Sequence, residues 1–148
     1  MTTGPILELG CGLYSTTPLH WACFLPQRKL VTYENNPVYF DFLKAYERDF
    51  HEVHCITHWD DIDISSLWSV AFVDNDPGPD ESEDRRWREC VRLQHAEYVV
   101  MHDTESRNEG RHRMSEIRKV FKYEFWWRDA MPNTSVYSNV HDLTNFLG

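Results

Sequence analysis

The sequence predicts an α/β fold: a three-layer sandwich with a mostly parallel central sheet and an antiparallel hairpin at its C-terminal end. Short apolar runs alternate with helical segments over about 120 residues, and two strand-like runs lie close together after the last helix. Alternating strands and helices build parallel sheets through right-handed crossovers. Because the chain has 148 residues, the size of one ordinary domain, residues 1–148 are predicted to form a single domain.

The order of the elements follows from apolar patterning and turn signals. The C-terminal hairpin is predicted from strands at about 123–127 and 135–140, around a loop that contains Pro132. The five earlier strands are predicted at about residues 5–9, 29–34, 52–57, 69–74 and 97–102, and the helices at about 16–25, 37–49, 83–94 and 109–121.

The first strand ends in a glycine turn, Gly10-Cys11-Gly12. Glycines that lack Cβ atoms let a ligand approach the backbone closely. The second strand ends in Glu34, followed by Asn35, and a carboxylate at the tip of a neighbouring strand can accept both hydroxyls of a ribose. The pair therefore predicts an adenosine pocket at the carboxyl ends of the strands.

Two cofactor classes share this arrangement, and the glycine turn distinguishes them. A dinucleotide-binding turn needs a third glycine three residues after the second, where this chain has Ser15. This disfavours an NAD-linked oxidoreductase, which stays as an alternative. Glu8, two residues before Gly10, instead resembles the acidic start of the first motif of class I S-adenosylmethionine (SAM) methyltransferases.

The resemblance to class I SAM methyltransferases extends over about residues 5–105, because the acidic second strand, the run 70–78 and the run 97–105 follow in that family's order. The last two runs are most similar to the branches that methylate oxygens of small molecules and sugars. The resemblance implies SAM as the cofactor. It also implies the family's fold, here without the N-terminal lid helices, because the first predicted strand begins near residue 5. It implies these cofactor-binding residues: Glu8, Gly10, Cys11, Gly12, Glu34, Asn35, Trp59 and Asp60.

Methyl transfer requires an aligned acceptor and removal of one proton, because SAM carries its own electrophile. The predicted catalytic residues are Asp74, His102 and Asp103, which follow the fourth strand and end the fifth. In one arrangement, His102 or Asp103 is the general base for a hydroxyl.

A second arrangement resembles the metal-dependent O-methyltransferases. Asp74 and Asp103, with Thr104 or Glu105, would hold Mg²⁺, which prefers oxygen ligands and lowers the pKa of a bound hydroxyl. That family commonly has Asp-Asn where this chain has Asp103-Thr104, and both arrangements stay open at this point.

Composition limits the partners. A net charge of −9 disfavours a phosphate-binding surface, so a small-molecule acceptor and no nucleic acid are expected. A basic strip that includes Arg85 and Arg86 is interpreted as a solvated helix face, or as a site for an anionic substrate group. The absence of a long apolar run predicts no membrane span and a cytoplasmic location.

The first strand begins near residue 5, without the helices that cover the cofactor in relatives. The acceptor site is therefore expected to come from loops, from the C-terminal region or from a second copy, which makes a homo-oligomer a candidate. A nonenzymatic module that binds SAM or a nucleoside, or a subunit that supports a larger partner, is the other functional class that fits.

Overall fold

The computed structural model describes residues 2–77 and 84–146 and contains one seven-stranded sheet. The elements, in chain order, are β1 (Ile6–Leu9), α1 (Thr16–Phe24), β2 (Leu30–Glu34), α2 (Pro37–Leu43), β3 (His51–Cys55), β4 (Val70–Val73), α3 (Arg86–Arg92), β5 (Tyr98–His102), α4 (Met114–Arg118), β6 (Tyr123–Trp127) and β7 (Thr134–Ser138).

The strand order is β3-β2-β1-β4-β5-β7-β6. The strands β1 to β5 pair in parallel, whereas β7 pairs antiparallel with both β5 and β6. The predicted fold class is confirmed. The carboxyl ends of β1, β2, β4 and β5 lie along one edge of the sheet, which is where the predicted site residues are found.

The helices are shorter than predicted. The predicted helix at 37–49 ends at Leu43 and continues only as a 3₁₀ turn, Lys44–Tyr46. The predicted helix at 109–121 is reduced to α4, because Arg113 adopts φ of +43°, a left-handed conformation that interrupts a right-handed helix. Within the described residues, no helix is long and apolar enough to cross a membrane.

The two faces of β4 and β5 differ. On one face, Ala71 and Val99 are fully buried in the main core beneath α3 and α4. On the other face, Phe72 and His102 are half-buried and line a cleft beside α1. Since alternate residues of a strand point to opposite faces, the same strands both close the core and form one wall of the cleft.

Candidate active site

The glycine turn after β1 passes directly against the end of β4. Gly10 adopts φ of +82°, and a Cβ atom at this position would lie 2.7 Å from the carbonyl carbon and oxygen of Asp74. A side chain at position 10 is therefore excluded by both conformation and space. At Gly12, an added Cβ would meet only Ser15 Oγ, at 3.6 Å. The turn thus presents nearly bare backbone to the cleft.

Glu8 supports this turn from beneath. Its carboxylate accepts hydrogen bonds from the hydroxyls of Thr16, at 3.0 Å, and Thr32, at 2.8 Å, and Thr16 Oγ1 in turn accepts one from the Gly12 amide. Burial raises the pKa of Glu8 to about 7. Glu8 is fully buried and contacts the turn and the start of α1 through hydroxyl groups, and its contact with the cofactor stays a prediction.

Glu34 joins the end of β2 to the glycine turn. Its Oε2 accepts a hydrogen bond from the Cys11 amide at 2.8 Å, and its Oε1 accepts one from the Asn36 amide at 2.7 Å. Each carboxylate oxygen has a second lone pair that a hydroxyl can use. Glu34 therefore lies beside the turn with 3% of the residue exposed, and its contact with a ribose stays a prediction.

Two neighbours of Glu34 complete this end of the sheet. Cys11 is half-buried, and burial raises the pKa of its thiol, which keeps it protonated at neutral pH. The Asn35 amide group donates to the carbonyl of Pro77 at 3.2 Å, which connects the end of β2 with the loop after β4.

The last two predicted cofactor-binding residues, Trp59 and Asp60, have different environments. Trp59 is fully buried and its Nε1 donates to the Asp76 carbonyl at 2.8 Å, so a cofactor contact by its ring would require a change of conformation. Asp60 has a 71% exposed side chain and forms an ion pair with Arg85, whose hydrogen bond lowers the pKa of Asp60. A contact between Asp60 and adenine stays a prediction.

The three predicted catalytic residues meet at the ends of β4 and β5. His102 Nδ1 lies 3.3 Å from Asp74 Oδ2 and 3.5 Å from Asp103 Oδ1. The contact with Asp74 raises the pKa of His102 above its usual value. Both carboxylates lie within ion-pair distance of Nδ1, although this buried nitrogen meets no hydrogen-bond criterion with a described residue. The imidazole therefore has Nδ1 beside two acids, and the ring lines the cleft.

Arg86, the first residue of α3, lies behind these acids. Its Nη1 is 2.9 Å from Asp103 Oδ2 and its Nη2 is 3.0 Å from Asp74 Oδ1, while its Nε donates to the Asn75 carbonyl at 3.2 Å. Only 6% of its side chain is exposed. The interpretation of Arg86 as part of a solvated helix face is therefore wrong. The alternative, a site for an anionic substrate group, stays a prediction, and the guanidinium pairs here with acids of this chain.

The structure does not assemble the predicted magnesium ligands. Thr104 is fully buried and its hydroxyl accepts a hydrogen bond from Ser135, at 3.0 Å. Glu105 accepts hydrogen bonds from the side-chain amide of Asn108, at 3.0 Å, and the backbone amide of Asn133, at 3.2 Å. The side chains of both residues are hydrogen-bonded within the protein around the loop after β5, so neither can serve as the third ligand in this conformation.

The remaining residues do not fit Mg²⁺ either. Asp74, His102 and Asp103 could each offer one ligand atom, and these atoms lie within 4.8 Å of one another. However, the buried guanidinium of Arg86 already pairs with both carboxylates, and its Nη2 also lies 3.5 Å from Asp76 Oδ1. Mg²⁺ requires an octahedral shell of oxygens, and a fixed positive charge at this distance repels it.

A cleft of about 570 Å³ connects the glycine turn with the acid–histidine cluster. Its walls are the turn itself, one side of α1 and the half-buried face of the sheet. The described residues that line it are Gly12, Leu13, Tyr14, Ser15, Pro18, Leu19, Ala22, Phe72, Asp74, His102 and Thr134. The cleft is concave and largely apolar, with nearly bare backbone at one end and polar groups at the other, as small-molecule sites commonly are.

Comparison of this architecture with solved structures shows the class I methyltransferase fold. The chain superposes on human Methyltransferase-like protein 13 in complex with S-adenosylhomocysteine (SAH) with a TM-score of 0.65 and 15% identity, covering 95% of this chain and 73% of that one. On the N-terminal domain of human METTL16 in complex with SAH, the TM-score is 0.66 at 12% identity, covering 95% and 63%.

A third match is the human METTL16 catalytic domain in complex with the MAT2A 3'UTR hairpin 1, with a TM-score of 0.62, 10% identity and coverage of 94% and 65%. This chain therefore spans less than two thirds of these two METTL16 chains. No family model and no curated protein sequence matches it. At such low identity the likeness establishes the fold, and chemistry must be argued from the site.

Proposed function

We propose that this chain is a SAM-dependent methyltransferase that transfers a methyl group to an oxygen of a small-molecule or sugar-like acceptor. One observation carries the proposal: a single cleft has the glycine turn at one end and the Asp74–His102 pair at the other. Structures with the same fold bind SAH, which is consistent with SAM as the cofactor.

The cofactor would bind across the carboxyl ends of β1 and β2. The backbone of Cys11 and Gly12 would contact its methionine portion, Glu34 the ribose hydroxyls and Asp60 the adenine. Bound SAM supplies an electrophilic methyl group on a sulfonium. The protein must then align the acceptor and accept its proton.

His102 is the proposed general base. With Nδ1 3.3 Å from Asp74 Oδ2, the imidazole would carry its proton on Nδ1 and use Nε2 to remove the proton of an acceptor hydroxyl. The imidazolium that forms is stabilised by Asp74 and by Asp103, whose carboxylate oxygen lies 3.5 Å from Nδ1. A histidine base is suited to neutral pH because the unperturbed pKa of an imidazole lies close to that range.

The lining of the cleft supports a small acceptor with apolar surface, since Leu13, Tyr14 and Phe72 form much of its wall. The net charge of −9 gives no support for a long anionic substrate. Arg85 and Arg86, the basic residues nearest the site, are paired with acids of this chain. Although the METTL16 catalytic domain binds an RNA hairpin, these features favour a small molecule as the acceptor here.

Calorimetry followed by turnover measurements tests the proposal. We expect SAM and SAH to bind, and we expect a panel of small hydroxylated compounds to include an acceptor that yields SAH. Binding of SAM without turnover on any acceptor would favour the nonenzymatic binding module. Preferential binding of NADH would favour the oxidoreductase and contradict the proposal.

A further inference from the structure

Asp74 and Asp103 divide their carboxylate oxygens between two partners. Asp74 directs Oδ1 to Arg86 and Oδ2 to His102, and Asp103 directs Oδ2 to Arg86 and Oδ1 to His102. The four distances lie between 2.9 and 3.5 Å. Two acids therefore bridge one guanidinium and one imidazole, and Arg86 Nη2 also lies 3.5 Å from Asp76 Oδ1. The position of the histidine thus depends on the arginine through the shared acids.

Arg86 is also fixed from its other side. Its backbone amide donates to Asp84 Oδ1 at 3.0 Å, and the same oxygen lies 3.0 Å from His112 Nδ1. Both Asp84 and His112 are buried. The guanidinium itself donates to the carbonyl of Asn75 at 3.2 Å. The arginine thus cannot swing away without breaking hydrogen bonds inside the protein, each of which is costly to leave unmade.

The charge of this group matters because it is partly desolvated. Two carboxylates this close would repel each other, and one shared counter-cation removes most of that repulsion. A guanidinium suits this role because its planar fork can bind two carboxylates at once, which the point charge of an ammonium cannot do. A divalent cation could balance the same acids, but only if the arginine charge were absent.

We propose that Arg86 is a built-in cation that replaces a divalent metal at this site. It is a positioning residue: it holds Asp74 and Asp103 so that both face His102, and it makes the site metal-independent. Removal of the guanidinium would open a divalent-cation site formed by Asp74, His102 and Asp103. This inference rests on the proposed role of His102, but its test requires neither SAM nor an acceptor.

The test is titration of Mn²⁺, followed by electron paramagnetic resonance and by broadening of the His102 imidazole resonances. Wild-type protein should show no specific broadening. Arg86→Gln should bind Mn²⁺ at least about tenfold more tightly, with broadening at His102 that excess Mg²⁺ reverses. Arg88→Gln, which removes an exposed arginine from the same helix, is the matched control and should behave as wild type.

A second variant separates charge from shape. Arg86→Lys keeps the positive charge but cannot bridge both acids, so it should exclude Mn²⁺ as wild type does while shifting the pH titration of His102. Binding of Mn²⁺ at His102 in wild type, or equal binding in Arg86→Lys and Arg86→Gln, would overturn the inference. The wild-type and Arg86→Lys results decide the question even if Arg86→Gln does not fold. Failure of SAM to bind would contradict the proposed function and leave these outcomes unaffected.

Discussion

The β1–β2 end of the site and its β4–β5 end satisfy their buried acids in different ways. Glu8 and Glu34 accept hydrogen bonds from hydroxyls and backbone amides, and no cationic side chain among the described residues pairs with either. Asp74 and Asp103 instead share the guanidinium of Arg86. The first end thus offers hydrogen-bonded acids beside nearly bare backbone, whereas the second end places two acids and a histidine around a shared guanidinium.

The largest expected effect comes from a substitution at the β4–β5 end of the site, at His102. His102→Gln should lower turnover about 100- to 10,000-fold, because general-base catalysis contributes rate enhancements of that order. SAM affinity measured by calorimetry should remain at the wild-type value. His54→Gln, an exposed histidine on β3, is the control. Turnover within a few fold of wild type would place the base elsewhere.

The two ends also differ in how well the sequence predicted them. The glycine turn and the acid after β2 are local signals, since Gly10 and Glu34 directly follow apolar strands and could be assigned to the site by position. Burial is not a local property. The sequence could not show that Trp59 is enclosed, that Glu8 contacts the turn through hydroxyl groups, or that Thr104 and Glu105 turn away.

Arg86 shows the same limit more clearly. It lies 12 residues after Asp74 and 17 before Asp103 along the chain, and only the packing of α3 against the sheet brings all three together. Its neighbours Arg85, Arg88 and Arg92 made a solvated basic face the natural interpretation. In the sequence, the acids Asp74 and Asp103 at the ends of neighbouring strands were the signal that a buried cationic side chain should lie between them.

The next largest effect concerns Glu8 at the β1–β2 end and is measured as the pH dependence of the free energy of unfolding. The pKa of Glu8 is raised from its usual 4.5 to about 7, so its contribution to stability is full below pH 4.5 and is lost as the pH rises towards 7. Glu8→Gln should remove this dependence, and wild type should lose about 2–3 kcal/mol more than the variant between pH 5 and pH 8.

Urea unfolding at the two pH values measures this difference, with Glu52→Gln, an exposed acid on β3, as the control. Equal pH dependence in wild type and Glu8→Gln would mean that Glu8 ionises normally. The titration of His102 is common to the compared proteins and therefore cancels from the difference.

A substitution of Glu34, the proposed ribose ligand, tests the β1–β2 end through SAM affinity. Glu34→Gln should weaken SAM binding by about 1–3 kcal/mol, because a charged acceptor is lost and the turn keeps only one carbonyl oxygen for two amides. Calorimetry provides the measurement, and the exposed Glu47→Gln is the control. Unchanged affinity would place the nucleoside away from β2.

The smallest expected effect is a shift in the pKa of His102 when its contact with Asp74 is removed. Asp74→Asn should lower the pKa of His102 towards its usual value, because the contact with Asp74 is the main cause that raises it. Nuclear magnetic resonance of the His102 imidazole follows the titration without any ligand. An identical pKa in wild type and variant would show that the two side chains are uncoupled in solution.

The crystal structure of this chain soaked with SAH tests the central claim most directly. We expect the ribose at Glu34, the homocysteine portion along the backbone of Cys11 and Gly12, and the sulfur in the cleft that His102 lines. A nucleoside bound at another surface, or a cleft that stays without SAH at saturating concentration, would contradict the proposed methyl transfer.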